Sequence, residues 1–141
     1  MACVVYRAAC CAAALDRCPC CSIAVARVTL DTEHALAFGD GYPVAEGHTL
    51  VVPRLHVPSI FDLAPEAQAS VWKLVAQVRA QLLDDLHPDG FTIGLNDGVA
   101  AEQTEMHVHV HVIPRWNGDV ADPRCGVRWV IPDKAAYWKT P

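Results

Sequence analysis

His107, His109 and His111 stand at strict two-residue spacing, with Val108, Val110 and Val112 in the gaps and Ile113 closing the run. On a β-strand successive side chains point to opposite faces, so the three imidazoles share one face and the valines the other. Neighbouring imidazoles then stand about 6.6 Å apart along the strand. Three uses compete for such a row. It can line a solvated face and do nothing; it can hold a metal, since imidazole is a common zinc ligand; or one histidine can attack phosphorus while its neighbours support it, splitting one substitution into two easier ones.

The cysteines form a second chemical group. Seven of them, Cys3, Cys10, Cys11, Cys18, Cys20, Cys21 and Cys125, make an odd and clustered set that suits a reducing compartment and a metal site better than a disulfide framework. The run from Cys18 to Cys21 contains a CxxC spacing.

The elements that must position these residues can be read in order. Ile23 to Leu30 and Ala35 to Phe38 alternate as strands, Asp40-Gly41 makes a tight connection, and His48 to Val52 is the next strand. Pro53 and Pro58 bracket a loop that carries His56. Pro65 suits a first helical position, and Ala67, Val71, Leu74, Val75, Val78, Leu82 and Leu86 keep a 3.6-residue period over 65–87. His87-Pro88 and Asp89-Gly90 stop that helix; Phe91 to Leu95 is a strand, Asn96-Asp97-Gly98 a turn, and Glu102 to Met106 the approach to the histidine row. Short strands around one long helix predict an α+β fold with an antiparallel sheet.

Composition bounds the function. The 141 residues fit one domain; 52% are apolar and 19% charged, which is the balance of a globular chain. A formal charge of −5 with no Lys/Arg run argues against a nucleic-acid partner. The apolar opening lacks a basic segment and carries Arg7, so it does not read as a signal peptide, and no apolar run reaches the roughly 20 residues of a spanning helix. A cytoplasmic protein without membrane contact is expected, with residues 1–15 as a poorly ordered extension and 16–141 as the domain.

Three blocks, GHTLVVPRLH (47–56), NDG (96–98) and QTEMHVHVHVIPR (103–115), together resemble the histidine-triad (HIT) superfamily of nucleotide hydrolases and transferases. The later two look more like the fragile-histidine-triad and diadenosine polyphosphate hydrolase branch than the adenosine phosphoramidase branch. The resemblance runs from Cys18 to about Pro132. It implies a HIT-like fold, an antiparallel five-stranded sheet with one long and one short helix. It also implies a homodimer paired through the long helix and an edge strand, and a nucleotide or dinucleotide substrate.

The resemblance also implies roles. His109, the middle histidine, is the nucleophile toward the α-phosphorus and forms a nucleotidyl-histidine intermediate. His111 contacts phosphate or the bridging oxygen, and His48 meets the triad from a neighbouring strand. Gln103, Thr104 and Asn96 fall where the family places polar donors to the phosphate and leaving group; each taken singly is an ordinary turn residue. Asp40 falls where the family binds ribose hydroxyls, although an Asp before Gly is also a common turn residue.

A subset of the superfamily, including bacterial HIT proteins and galactose-1-phosphate uridylyltransferase, holds a structural zinc with a CxxC pair and two histidines, here Cys18, Cys21, His56 and His107. Such a closed site leaves no position for a water nucleophile. Cys20 is a competing thiol, and Cys3, Cys10, Cys11 and Cys125 have no assigned role. Cys125 replaces the first glycine of a Gly-Gly-Val-Arg run common in the family; Arg128 offers a phosphate contact or an ion pair, and Trp129, Tyr137 and Trp138 can pack on a base or a second subunit.

Two other readings stay open: a hydrolase using metal-bound hydroxide on the three histidines, and a zinc- and nucleotide-binding module without turnover. The absence of an acidic ligand near the row weighs against the first. The presence of His109 weighs against the second.

Overall fold

The computed structural model describes residues 18–139, so the expectation for residues 1–15, Cys3, Cys10 and Cys11 included, lies outside the described residues. Five strands form one antiparallel sheet: β1 (Val28–Asp31), β2 (Ala35–Gly39), β3 (Thr49–Pro53), β4 (Gly90–Gly94) and β5 (Val110–Arg115), in the order β1-β2-β3-β5-β4. The long helix α1 covers Pro65–Leu86, and the short α2 covers Pro132–Ala135. Proline opens α1 because its missing N–H is one the first turn would leave unpaired anyway. His87 ends it in the left-handed conformation, φ 50°, donating its N–H to the Leu83 carbonyl.

Alternation along the strands builds two cores on opposite faces of the sheet. Ala35, Ala37, Val51, Val108, Val110 and Val112 face α1 and bury Val71, Leu74, Val75 and Val78 of its inner stripe. Each fully buried valine or leucine contributes about 1.5–3 kcal/mol. Leu36, Phe38 and Val52 face the other way and pack beneath Cys18, Cys20, Cys21 and Ile23. His111 pairs directly with Leu50 of β3, so the histidine row lies on the cysteine side. A one-residue slip of β5 would exchange histidines and valines, and the helix-side core holds the register against it.

Two strand starts differ from the sequence reading by more than one residue, and ladder partners explain both. The first strand begins at Val28 rather than Ile23, because Val28 already pairs with Phe38 and β2 ends one residue later at Gly39; Val25–Arg27 turns into a short 3₁₀ helix instead. The histidine strand joins the ladder only at Val110. Upstream of it Val108 donates its N–H to the Val57 carbonyl, and the imidazole rings of His107 and His109 bond the carbonyl oxygens of Pro53 and His107.

Gly47 lets the chain enter β3. Its φ is +76°, and an added Cβ would meet Leu86 Cδ1 at 2.5 Å and Leu82 Cδ2 at 2.9 Å. The loop before His48 is thereby pressed against the last turns of α1, which fixes where His48 points.

Candidate active site and metal centre

The three imidazoles of the row are sent to different tasks. His107 is buried, with Nε2 2.8 Å from the Pro53 carbonyl oxygen. A carbonyl can only accept, so Nε2 carries the proton and the Nδ1 lone pair points away from it. That Nδ1 lies 3.6 Å from Cys18 Sγ and 3.4 Å from Cys21 Sγ, while His56 Nδ1 lies 3.1 Å from Cys21 Sγ. Burial first of all, together with the nearby imidazoles, pushes His107 down to about 4, so it is neutral in the cellular range.

Cys18, Cys21, His56 and His107 thus bring their four ligand atoms within 4.8 Å of one another. In a tetrahedral zinc site with ordinary bond lengths a thiolate sulfur and an imidazole nitrogen stand about 3.6 Å apart. The donor set and its spacings fit zinc, and the Pro53 carbonyl supplies the outer hydrogen bond that orients a ligating imidazole. Cys20, also buried, is pushed up to about 12, chiefly by desolvation, and stays a thiol beside this group.

His109 directs Nδ1 to the carbonyl oxygen of His107 at 2.9 Å. The same logic puts the proton on Nδ1 and leaves the Nε2 lone pair free. His109 lies in the wall of a cavity of about 740 Å³, a size that accommodates a nucleotide-sized ligand. Pro19, Cys20 and Ile23 line the cavity together with Asp40, Tyr42, Val44, His48 and His111, and the His111 ring centroid lies 5.0 Å from that of His109.

A chain of hydrogen bonds sets the remaining tautomers. Val44 donates its N–H to His48 Nδ1 at 3.3 Å, so the His48 proton sits on Nε2. That proton is donated to His111 Nδ1 at 3.0 Å, and Asp40 Oδ2 lies 3.4 Å from His48 Nε2. His111 therefore carries its own proton on Nε2 as a donor toward the cavity. Burial lowers both His48 and His111 below the ordinary imidazole value and keeps the relay neutral, against the pull of Asp40. Asp40, His48 and His111 also bring their ligand atoms within 4.8 Å. Because Val44 holds the His48 proton on Nε2, this group is a hydrogen-bonded relay rather than a metal set.

The other predicted residues divide. Thr104 and Asp40 line the cavity; Asp40 Oδ1 also accepts the Tyr42 N–H at 2.8 Å. Gln103 is buried and its amide is taken up by backbone: Oε1 accepts the Gly98 N–H, and Nε2 donates to the Pro58 and Glu105 carbonyls. Asn96 donates to the Glu102 carbonyl at 3.5 Å and does not line the cavity. Arg128 donates to the Lys134 and Ala135 carbonyls of the tail, neither to a phosphate subsite nor to an acid. Sequence reasoning missed Pro53 and Val44, which act through backbone groups that no side-chain pattern announces. It also missed Phe38, whose place in the cavity wall follows from strand alternation once the histidine face is known, and Ile23, which reaches the wall from the loop after Cys21.

A family model for the HIT domain matches residues 23–118. The chain is 37% identical over 86 residues to an uncharacterized 16.1 kDa HIT-like protein of Mycoplasma pneumoniae, covering 61% of this chain and 60% of that one. It is 36% identical over 91 residues to the asymmetrical bis(5'-nucleosyl)-tetraphosphatase of Schizosaccharomyces pombe, covering 64% and 50%. Among solved structures, a Zn-bound histidine triad family protein from Mycobacterium smegmatis superposes with a TM-score of 0.61 at 38% identity, covering 67% of this chain and 69% of that one. The chain spans about three-fifths of the length of the curated relatives it matches.

Proposed function

The chain belongs to the HIT domain family, and from that premise we propose that it is a nucleotidyl hydrolase or transferase acting at the α-phosphorus of a nucleotide conjugate. The observation that carries the reading is the His109 Nδ1–H bond to the His107 carbonyl, which leaves Nε2 as the attacking lone pair inside the cavity. Dinucleoside polyphosphates and nucleoside phosphoramidates are the substrate classes this set suits, and the tetraphosphatase name of the Schizosaccharomyces pombe relative supports the former.

In the proposed cycle His109 Nε2 forms a bond to phosphorus as the bond to the leaving group breaks with its electron pair. The phosphorylated ring keeps its Nδ1 proton on the His107 carbonyl. Water, or another acceptor, then attacks phosphorus, restores the lone pair to His109 and releases a proton. His111 Nε2–H and the Thr104 hydroxyl donate to oxygens that gain negative charge. Asp40 takes the ribose hydroxyls, while Gln103 serves by fixing the loop that presents Thr104.

Zinc on Cys18, Cys21, His56 and His107 would be structural: all four tetrahedral positions are filled by protein, so it supplies rigidity rather than a reactive water. The similarity to a Zn-bound relative supports this assignment. The row does not converge on one point, since His107 turns to the thiols and His111 to His48, which disfavours metal-bound hydroxide on three histidines. Thiols kept reduced for zinc fit the cytoplasm; among the described residues no helix is long and apolar enough to cross a membrane.

The test is release of AMP from diadenosine polyphosphates and adenosine phosphoramidate, wild type beside His109→Ala at matched zinc content. A loss of at least about a thousandfold with AMP and zinc binding retained is the expected result. A variant that keeps most of the activity sinks the covalent reading; a wild type that binds AMP but cleaves nothing leaves the binding module.

A further inference from the structure

The charged side chains that line the catalytic cavity are Asp40, Arg27 and Glu105. The first two lie together at one end. Asp40 is engaged by the Tyr42 N–H and by His48, and the Arg27 guanidinium donates to the Gly39 carbonyl at 3.1 Å. Glu105 differs: its backbone carbonyl accepts the Gln103 amide, but among the described residues its carboxylate makes no hydrogen bond or ion pair. The titratable neighbour that feels it is the buried Cys20 thiol, on the side of the cavity formed by Pro19, Cys20 and Ile23.

The chain order separates the two ends. Asp40 and His48 meet His111, at the late end of the histidine row, whereas Glu105 precedes His107, at its early end. A conjugate with its ribose at Asp40 and its α-phosphorus at His109 therefore sends its leaving group toward Thr104 and Glu105. A leaving group that brings further phosphates to that end meets the Glu105 carboxylate, and among the described residues no lysine or arginine lines the cavity beside it. A leaving group with positive charge meets an attraction.

Resting on the reading that His109 attacks with the ribose at Asp40, we infer that Glu105 is a specificity determinant that selects leaving groups bringing positive charge to this end of the cavity. That charge can be an ammonium on the leaving group itself or a divalent cation carried on a polyphosphate. Both present the same chemistry to the carboxylate, and the two are separable by measurement. Neither source needs Glu105 to touch the reacting atoms.

The experiment compares two AMP phosphoramidates on the full chain, one made from an alkyl diamine with its far amine protonated, the other with that amine acetylated and neutral. The P–N bond breaks with its electron pair and a proton from water returning to nitrogen, and the attacking water gives that proton back, so the two probes differ only in remote charge. Wild type is expected to favour the charged probe in kcat/KM by about tenfold, the scale of one charge pair in a wet cavity. Glu105→Gln should bring the ratio near one, and Glu105→Lys should reverse it, with zinc content unchanged. Diadenosine tetraphosphate, assayed with and without magnesium, forms the second arm: cation dependence that shrinks in Glu105→Gln assigns the charge to a metal-borne source. A ratio unaltered by both substitutions, with magnesium dependence also unaltered, overturns the inference while leaving the nucleophile reading intact. A wild type that cleaves none of the three compounds defeats both together.

Discussion

At the scale of single residues the site depends on where protons sit. Carbonyl oxygens of His107 and Pro53 and the Val44 N–H fix, in turn, a proton on Nδ1 of His109, on Nε2 of His107 and on Nε2 of His48 and His111. Long-range ¹H–¹⁵N spectra of ring-labelled protein should show that pattern, and either tautomer inverted at His109 removes the case for attack through Nε2. His48 and His111 should also titrate below 6.5, because burial outweighs Asp40 at both. The sign for stability follows: as pH falls below about 6.5 the unfolded chain takes up these protons before the folded one does. Their contribution is fully present above that value and is lost progressively below it, until the folded imidazoles protonate in turn. Urea midpoints that stay level from pH 7.5 to 5.5 would contradict a relay held neutral by burial.

At the scale of elements, the period of α1 and the alternation around the histidine row were legible in sequence because each repeats the geometry of its own structure: Val71, Leu74, Val75 and Val78 are buried, as are Val108, Val110 and Val112. The start of β1 and the tail were not, because other segments decide them. Residues 125–139 turn on a left-handed Cys125, φ 53°, and on Arg124 stacked over Trp138 at 4.2 Å, neither of which has a periodic signature. Gln103 shows the same limit. Its type and place resemble a phosphate donor, yet its amide joins the Gly98, Pro58 and Glu105 backbone groups, so Gln103→Ala should cost about 1–3 kcal/mol of stability by leaving buried partners unmet. Equilibrium urea unfolding reads that loss, and a variant as stable as wild type would return Gln103 to a role at the substrate. The four candidate zinc ligands join the 18–23 loop and the 53–58 loop to the approach of β5, and the proposed zinc would tie these segments together. Cys21→Ser, or a strong chelator, is therefore expected to release about one zinc per chain and to lower the melting temperature. A chain that keeps its melting temperature after losing the metal would show that hydrophobic packing alone holds these loops.

At the scale of the whole molecule the open elements lie side by side. β4 is an edge of the sheet, and among the described residues no strand pairs with its outer side. Next to it α1 presents Trp72, Arg79 and Leu83 at helical spacing, with Trp72 47% and Leu83 38% exposed, and the Arg79 guanidinium over the Phe91 ring of β4 at 5.1 Å joins the two surfaces. An exposed edge strand is a template for another strand, and a two-fold axis beside β4 would pair it with its own copy while bringing the two Trp72–Leu83 stripes together. The charge of −5 per chain opposes association, so the apolar stripe must supply the attraction. Light scattering is predicted to return twice the 15.3 kDa chain mass at micromolar concentration. Trp72→Glu places a carboxylate from each copy in the stripe and should shift the protein to a monomer without altering zinc content, since Trp72 is half exposed on the flank of α1 and is none of the candidate zinc ligands. If wild type runs at single-chain mass, the edge of β4 is guarded by something other than a second copy; if Trp72→Glu stays dimeric, the copies meet elsewhere.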